Sequence, residues 1–233
     1  TSAMKMVSAA KLKKAQDAIT AMRPYSEKLT DLMSNFSEII SSSSISYLSE
    51  TRDVKNVLVV SICSNKGLCG AFNSNVIKQS LSLKNEEEFK GANFSYLTIG
   101  KKANDILSKT ENIISNQSNV YDNLVYDEVA NVSEKIVEEF NLGNFDKVLI
   151  VFNSFKNAAN QIVKTEQFLP IESLDETNKT GDYIFEPSME QIVSELVPKS
   201  LKIQLFKSIR DSFAGEHGAR MTAMHKATDN ATE

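Results

Sequence analysis

Tryptophan is absent from this 233-residue chain, and cysteine and histidine occur only twice each. Two cysteines make no disulfide scaffold, and a chain of this length buries enough core to manage without one. Cys63 and Cys69 have five residues between them, too many for a C-x-x-C redox pair. They read as small buried hydrophobes beside a turn, in a reducing compartment. His217 and His225 stand eight apart with no third ligand at helical spacing, which argues against zinc. H-E-x-x-H and G-x-S-x-G are both missing. Carboxylate pairs such as Glu138–Glu139 and Glu86–Glu88 fall on expected surface and read as solvated. No catalytic constellation emerges, and neither metal nor cofactor is expected.

Long apolar runs are also missing. The strongest, Val57 to Val60, is far too short to span a bilayer. The first residues lack the apolar stretch of a secretion signal. They also lack an initiator methionine, so residue 1 need not be the natural start. What remains is ordinary in bulk: 41% hydrophobic and 24% charged residues, as in an average soluble protein.

The charge is less ordinary in its placement. Residues 1–52 hold seven Lys/Arg against five Asp/Glu, and residues 199–233 hold six against four. Residues 53–198 hold 13 against 21. Two basic ends thus enclose an acidic middle. The lysines of the first 23 residues read either as a solvated helix flank or as a contact for an acidic protein partner. An acidic chain without an aromatic ladder is not expected to bind nucleic acid.

Near the N-terminus, Ala18, Met22, Tyr25, Leu29, Leu32, Phe36 and Ile39 step by alternating fours and threes. That is a heptad seam, and it predicts a long helix packed along a partner. Upstream the stripe thins to Ala3, Ser8, Ala9, Ala10 and Ala15, with Met4, Met6 and Val7. Small residues allow close approach. Pro24 costs one backbone hydrogen bond and can kink the helix, yet the register continues across it. The helix is expected to end in the serines at 41–44. From residue 188 the helical period returns and runs to the chain end. Leu196, Leu201, Leu205, Ile209 and Phe213 lie along one side, widened by Ile203 and Phe206. Two striped helices of this length are expected to bury their stripes against each other.

Between them, strands alternate with helices. Residues 54–62, 94–99, 147–152 and 161–169 read as strands, the last two as a hairpin. Residues 71–83, 101–109 and 132–140 read as helices, 112–126 is ambiguous, and the polar stretch 170–181 reads as an exposed loop. The pattern predicts a three-layer α/β (Rossmann-like) body with a mostly parallel sheet. The expected division is an N-terminal coiled-coil helix (1–44), an α/β body (53–187) and a C-terminal coiled-coil helix (188–233). The arms form an antiparallel coiled coil that projects from the body.

Ser64-Asn65-Lys66-Gly67-Leu68-Cys69-Gly70 lies between a strand and a helix, where backbone amides can cradle phosphate. Its lysine precedes the glycine, whereas a P-loop places lysine after the second glycine. G-x-G-x-x-G is absent too. A tight turn needing a glycine at positive φ is one reading, and a nucleotide site is the other. A nucleotide-binding α/β protein with helical arms therefore stays open at this point, as does a self-associating coiled-coil scaffold.

Four separated segments carry a more specific signal. Residues 216–231, Glu-His-Gly-Ala-Arg-Met-Thr-Ala-Met-His-Lys-Ala-Thr-Asp-Asn-Ala, resemble the C-terminal signature of the gamma subunits of F-type ATP synthases. Residues 3–12 resemble that family's N-terminal helix, 64–73 its first strand-to-helix turn, and 181–187 the lead-in to its last helix. All four occur in the family's order and span the chain. Gly218 stands where alanine is common, and the resemblance reads it as added flexibility beside Arg220. The family's extreme N-terminal turns and its apolar C-terminal tip find no counterpart, which implies a shaft cut short at both ends. The cysteine-bearing insertion of chloroplast members is also absent, so thiol control is not expected.

The resemblance implies a central rotor without catalytic residues of its own. Its coiled coil would stand in a ring of alternating alpha and beta subunits. Its body would rest on the ring of c subunits with the epsilon subunit beside it. Such a complex sits peripherally on the cytoplasmic side of the bacterial inner membrane, or on the matrix side in mitochondria. Met4, Lys5, Val7, Glu216, Arg220, Met221 and Met224 are the positions implied to face the alpha/beta ring, although several can instead pack the coiled coil. Arg220 leads this set, because a guanidinium can bridge carboxylates with two hydrogen bonds. Asp182 and Tyr183 are assigned to the foot near the c ring and epsilon; Asp182 can equally be a loop or capping residue.

Overall fold

A computed structural model describes residues 1–35, 40, 43–172 and 188–231. Phe36 and Ile39 of the predicted seam, residues 41 and 42 of the predicted helix end, most of the 170–181 loop, and the 181–187 segment with Asp182 and Tyr183 lie outside the described residues. In chain order the elements are α1 (Ser2–Asn35), β1 (Asn56–Ile62), α2 (Phe72–Ser82), β2 (Asn93–Ile99), α3 (Lys101–Leu107), β3 (Asn112–Asn116), α4 (Ser118–Asp122), α5 (Tyr126–Asn141), β4 (Lys147–Phe155), β5 (Gln161–Leu169) and α6 (Met189–Asp229).

The strands form one sheet in the order β3-β2-β1-β4-β5. All neighbouring pairs are parallel except β4 and β5, which make the expected antiparallel hairpin. β1 is central, and its near-continuous apolar run is explained by two covered faces. Val57 and Val59 pack with Val76 and Ile77 of α2 and Ala103 and Leu107 of α3. Leu58, Val60 and Ile62 pack on the other side with Val132, Ile136 and Phe140 of α5. This is the three-layer α/β body. The ambiguous stretch resolves into β3 and α4. β3 is an edge strand with alternating partial exposure, and its two asparagines, Asn112 and Asn116, mask the strand signal. α5 begins six residues earlier than its apolar face suggests. Asp127 and Glu128 in its first turn suit the positive end of the helix dipole.

The terminal helices pair along their lengths, but with two differences from expectation. First, the buried seam of α1 is Ser8, Leu12, Ala15, Ile19, Ser26, Leu29 and Met33. It departs from the predicted stripe by one position at Ile19 and Ser26 and rejoins it at Leu29: Ala18 is only half-buried and Tyr25 is 48% exposed. Ser8 and Ser26 are buried in this seam, and the apolar heptad spacing misses Ser26.

Second, α6 does not reserve its stripe for α1. Val193, Val197, Leu201, Leu205 and Ile209 recur every four residues and join the sheet's core with Leu58, Ile150 and Phe152. The first half of α6 is thus a layer of the body. Its second half pairs with α1, where Leu12, Ala15 and Ile19 meet Ala214, Met221 and Phe155 from the end of β4. The sheet supplies an apolar face that α5 alone does not cover. Pro198 lies inside the helix, and Ser188 caps its start through a bond from the Gln191 amide at 3.3 Å. Among the described residues no helix is long and apolar enough to cross a membrane.

Gly218 is explained by proximity rather than flexibility. A Cβ built there would stand 3.0 Å from both Cα and the carbonyl oxygen of Ala158, in the turn joining β4 and β5. The missing side chain lets α6 lie directly on that turn. Thr222, one turn on, donates to the Ala158 carbonyl at 3.2 Å.

Candidate functional site

The turn after β1 is organised by its own side chains. Asn73 Oδ1 accepts from the Ser64 amide at 2.9 Å, and the Ser64 hydroxyl donates to the Lys66 carbonyl at 2.6 Å. Asn65 ties the turn sideways. Its Oδ1 accepts from the Lys101 amide at 2.8 Å, and its Nδ2 donates to the Ser118 carbonyl at 3.0 Å. Positive φ occurs at Gly70, as a tight turn requires, and also at Leu68, which a side chain normally avoids. The Leu68 side chain is largely exposed.

This turn meets α6 through Arg220. The guanidinium donates from Nη2 to the Lys66 carbonyl at 2.9 Å and to the Gly67 carbonyl at 3.1 Å. Nε reaches the same Gly67 oxygen at 3.2 Å. Glu216, one helical turn back, pairs with Nη1. Both side chains are buried, Arg220 at 7% exposure and Glu216 at 4%. The turn therefore directs two carbonyl oxygens at a cation. A phosphate cradle needs converging amides instead.

Further groups close around this contact. The Arg220 guanidinium faces Nδ1 of buried His217 at 3.5 Å, and the Phe213 ring crosses the imidazole at a centroid distance of 4.6 Å. Burial, then the charges of Arg220 and Lys11, push the His217 pKa down to about 4. Burial also raises the Tyr121 hydroxyl well above its ordinary value, and the Glu216 carboxylate beside it adds to the rise. Cys63 and Cys69 are both buried and free, and burial raises both thiols. An open pocket of about 460 Å³ lies between α1, the turn and α6, with Met4, Val7, Leu68, Lys11 and His217 in its wall.

The residues implied to face a ring separate into two groups. Met4 and Val7 are 42% and 57% exposed, and Lys5 is half-buried with Nζ at 3.1 Å from His225 Nδ1. Glu216, Arg220 and Met224 are buried within the chain, and Met221 is half-buried in the seam. Arg220 is engaged inside the molecule rather than presented on its surface.

The sequence profile of the ATP synthase family matches residues 1–233. The ATP synthase gamma chain of Flavobacterium psychrophilum is 59% identical over 236 aligned residues, covering all of this chain and 82% of that one. The gamma chain of a Geobacter species is 38% identical with the same coverage. The chain belongs to the ATP synthase gamma-chain family. Solved structures agree on the fold. A chain from the central stalk/c-ring structure of the Tetrahymena thermophila mitochondrial ATP synthase aligns with a TM-score of 0.67 at 24% identity, covering 97% of this chain and 98% of that one. A chain from the Euglena gracilis mitochondrial ATP synthase rotor aligns at 0.54 and 17% identity, covering 100% and 93%.

Two contacts of this gamma-chain family member escaped sequence reasoning. Arg23 of α1 donates to the Phe155 carbonyl at 2.8 Å and to Asp211 of α6 at 3.1 Å. Lys11 helps set the electrostatics of His217. The available signal was Asp211, the one carboxylate between Glu195 and Glu216 in α6.

Proposed function

We propose that this gamma-family chain is the central rotor shaft of an F-type ATP synthase. The paired α1 and α6 stand inside the ring of alternating alpha and beta subunits. The α/β body rests on the ring of c subunits, with epsilon beside it. One observation carries the reading: α6 is both a layer of the body and half of the coiled coil. Torque applied to the body therefore enters the rod through continuous helix, with no flexible joint between them. The working division is an arm at 1–44, a body at 53–187 and an arm at 188–233.

Met4, Lys5 and Val7 form the ring-facing surface of the N-terminal arm, with Met221 across the seam. Glu216, Arg220 and Met224 support it from behind. Asp182 and Tyr183 belong to the foot, at the c ring and epsilon. The chain catalyses nothing itself and needs no cofactor or nucleic acid. Its unlike faces favour different conformations of each catalytic beta subunit, which is differential binding of one shaft to several states. Linkage makes that coupling reciprocal at equilibrium, so hydrolysis can turn the shaft backwards. Basic arms complement acidic loops of a surrounding ring. The complex holds the chain peripherally at the cytoplasmic side of a bacterial inner membrane.

The test is assembly. Expressed with partner alpha and beta subunits, the chain is expected to copurify with them and to restore ATP hydrolysis coupled to ion movement, while hydrolysing no ATP alone. Failure of the natural full-length chain to assemble would sink the reading.

A further inference from the structure

We infer that Arg220 is a positioning residue that keys the turn at 64–70 to the shaft, so that body and coiled coil turn as one; this rests on the rotor reading above. Three hydrogen bonds from one guanidinium reach the carbonyl oxygens of Lys66 and Gly67. Those residues lie more than 150 positions away in sequence and belong to the first strand-to-helix turn of the sheet. Side chains hold that turn from the other side: Ser64 and Asn73 fix its base, and Asn65 ties it to α3 and α4. The turn is therefore a firm part of the body, and Arg220 joins it to α6 beyond the stretch that packs on the sheet.

The surrounding groups suit a fixed strut. Glu216 orients the guanidinium from within α6. His217 is held neutral, so its ring nitrogen accepts from Arg220 instead of repelling it. Gly218 lets the same helical turn lie on the Ala158 backbone. The helix is thus gripped by two separate loops at one level. With the guanidinium removed, the Gly67 carbonyl loses its two bonds to Arg220 and the Lys66 carbonyl keeps only donors from within the turn, such as the Ser64 hydroxyl, and the α6 side of the turn is free to shift against the shaft. Such slippage lowers the ions moved per ATP without requiring the complex to fall apart.

The experiment uses the assembled ATP synthase in inverted membrane vesicles, with the natural chain, Arg220→Gln, Arg220→Lys and Leu12→Ala. Leu12 is an apolar seam residue packed with Ala214 and carries no side-chain hydrogen-bonding group for the turn. ATP-driven ion uptake is read against ATP hydrolysed, and melting temperature is measured on each purified complex. Arg220→Gln is expected to assemble and to lose at least half of the uptake per ATP. Arg220→Lys retains a cation that reaches one carbonyl and is expected to recover part of that loss. Leu12→Ala is expected to lower the melting temperature while keeping the natural ratio. A natural ratio in the assembled Arg220→Gln complex overturns the inference. So does a ratio that merely follows melting temperature across Arg220→Gln and Leu12→Ala. Failure of the natural chain to assemble speaks against the rotor reading instead, so the two are separable.

Discussion

Arg23 of the N-terminal helix meets Asp211 of the C-terminal helix at 3.1 Å, and the same nitrogen donates to the Phe155 carbonyl at the end of β4. One guanidinium thus joins both arms and the sheet. The Asp211 side chain is 3% exposed, so its carboxylate depends on this partner.

Arg23→Met is therefore expected to destabilise by about 3 kcal/mol, because it leaves a buried carboxylate without its cation. Asp211→Leu on top of it should recover much of the loss. A double-mutant cycle by urea unfolding measures the coupling. Additive single effects would show that the two side chains act independently.

The shifted seam gives a second contrast. Ile19→Ala removes a fully buried side chain and is expected to cost about 2–4 kcal/mol. Tyr25→Ala, on the stripe suggested by spacing alone, is expected to cost no more than about 0.5 kcal/mol in the isolated chain. Denaturant midpoints at unchanged slope decide between the two registers.

The third concerns pH. His217 titrates near 6.5 when unfolded and near 4 when folded. Between those values the unfolded chain holds the extra proton, so stability is full above pH 6.5 and falls as pH drops toward 4. The expected loss is on the order of 3 kcal/mol, from about 1.4 kcal/mol per pKa unit. His217→Gln should flatten that part of the stability profile. An unchanged slope in the variant would place the acid sensitivity elsewhere.

Much of the architecture is readable in the chain itself. A covered strand such as β1 shows as an unbroken apolar run, and the hairpin of β4 and β5 follows from two strands around an asparagine-rich turn. Both rest on local patterns of period and composition, which survive whatever packs against them. Family membership rests on four short segments in order, which sequence also carries. The site is less legible. Glu216 and Arg220 stand out by resemblance, but their inward orientation does not. Arg220 bonds to backbone carbonyls, and every residue carries that same oxygen, so no residue type marks the acceptor.

The amino-acid sequence alone determined two long terminal helices, an acidic α/β body between basic arms, and the family. Only the tertiary structure decided which face of each helix is buried. A helix stripe reports what must leave water, not what it will pack against. For α6 the nearest large apolar surface is the sheet, so Leu201, Leu205 and Ile209 join the core of the body, which also takes in Met33 of α1. For α1 the pairing buries Ile19 and Ser26 in place of Ala18 and Tyr25, one position along the helix. Shape at the point of contact settled both, and shape is a property of the folded pair rather than of either segment.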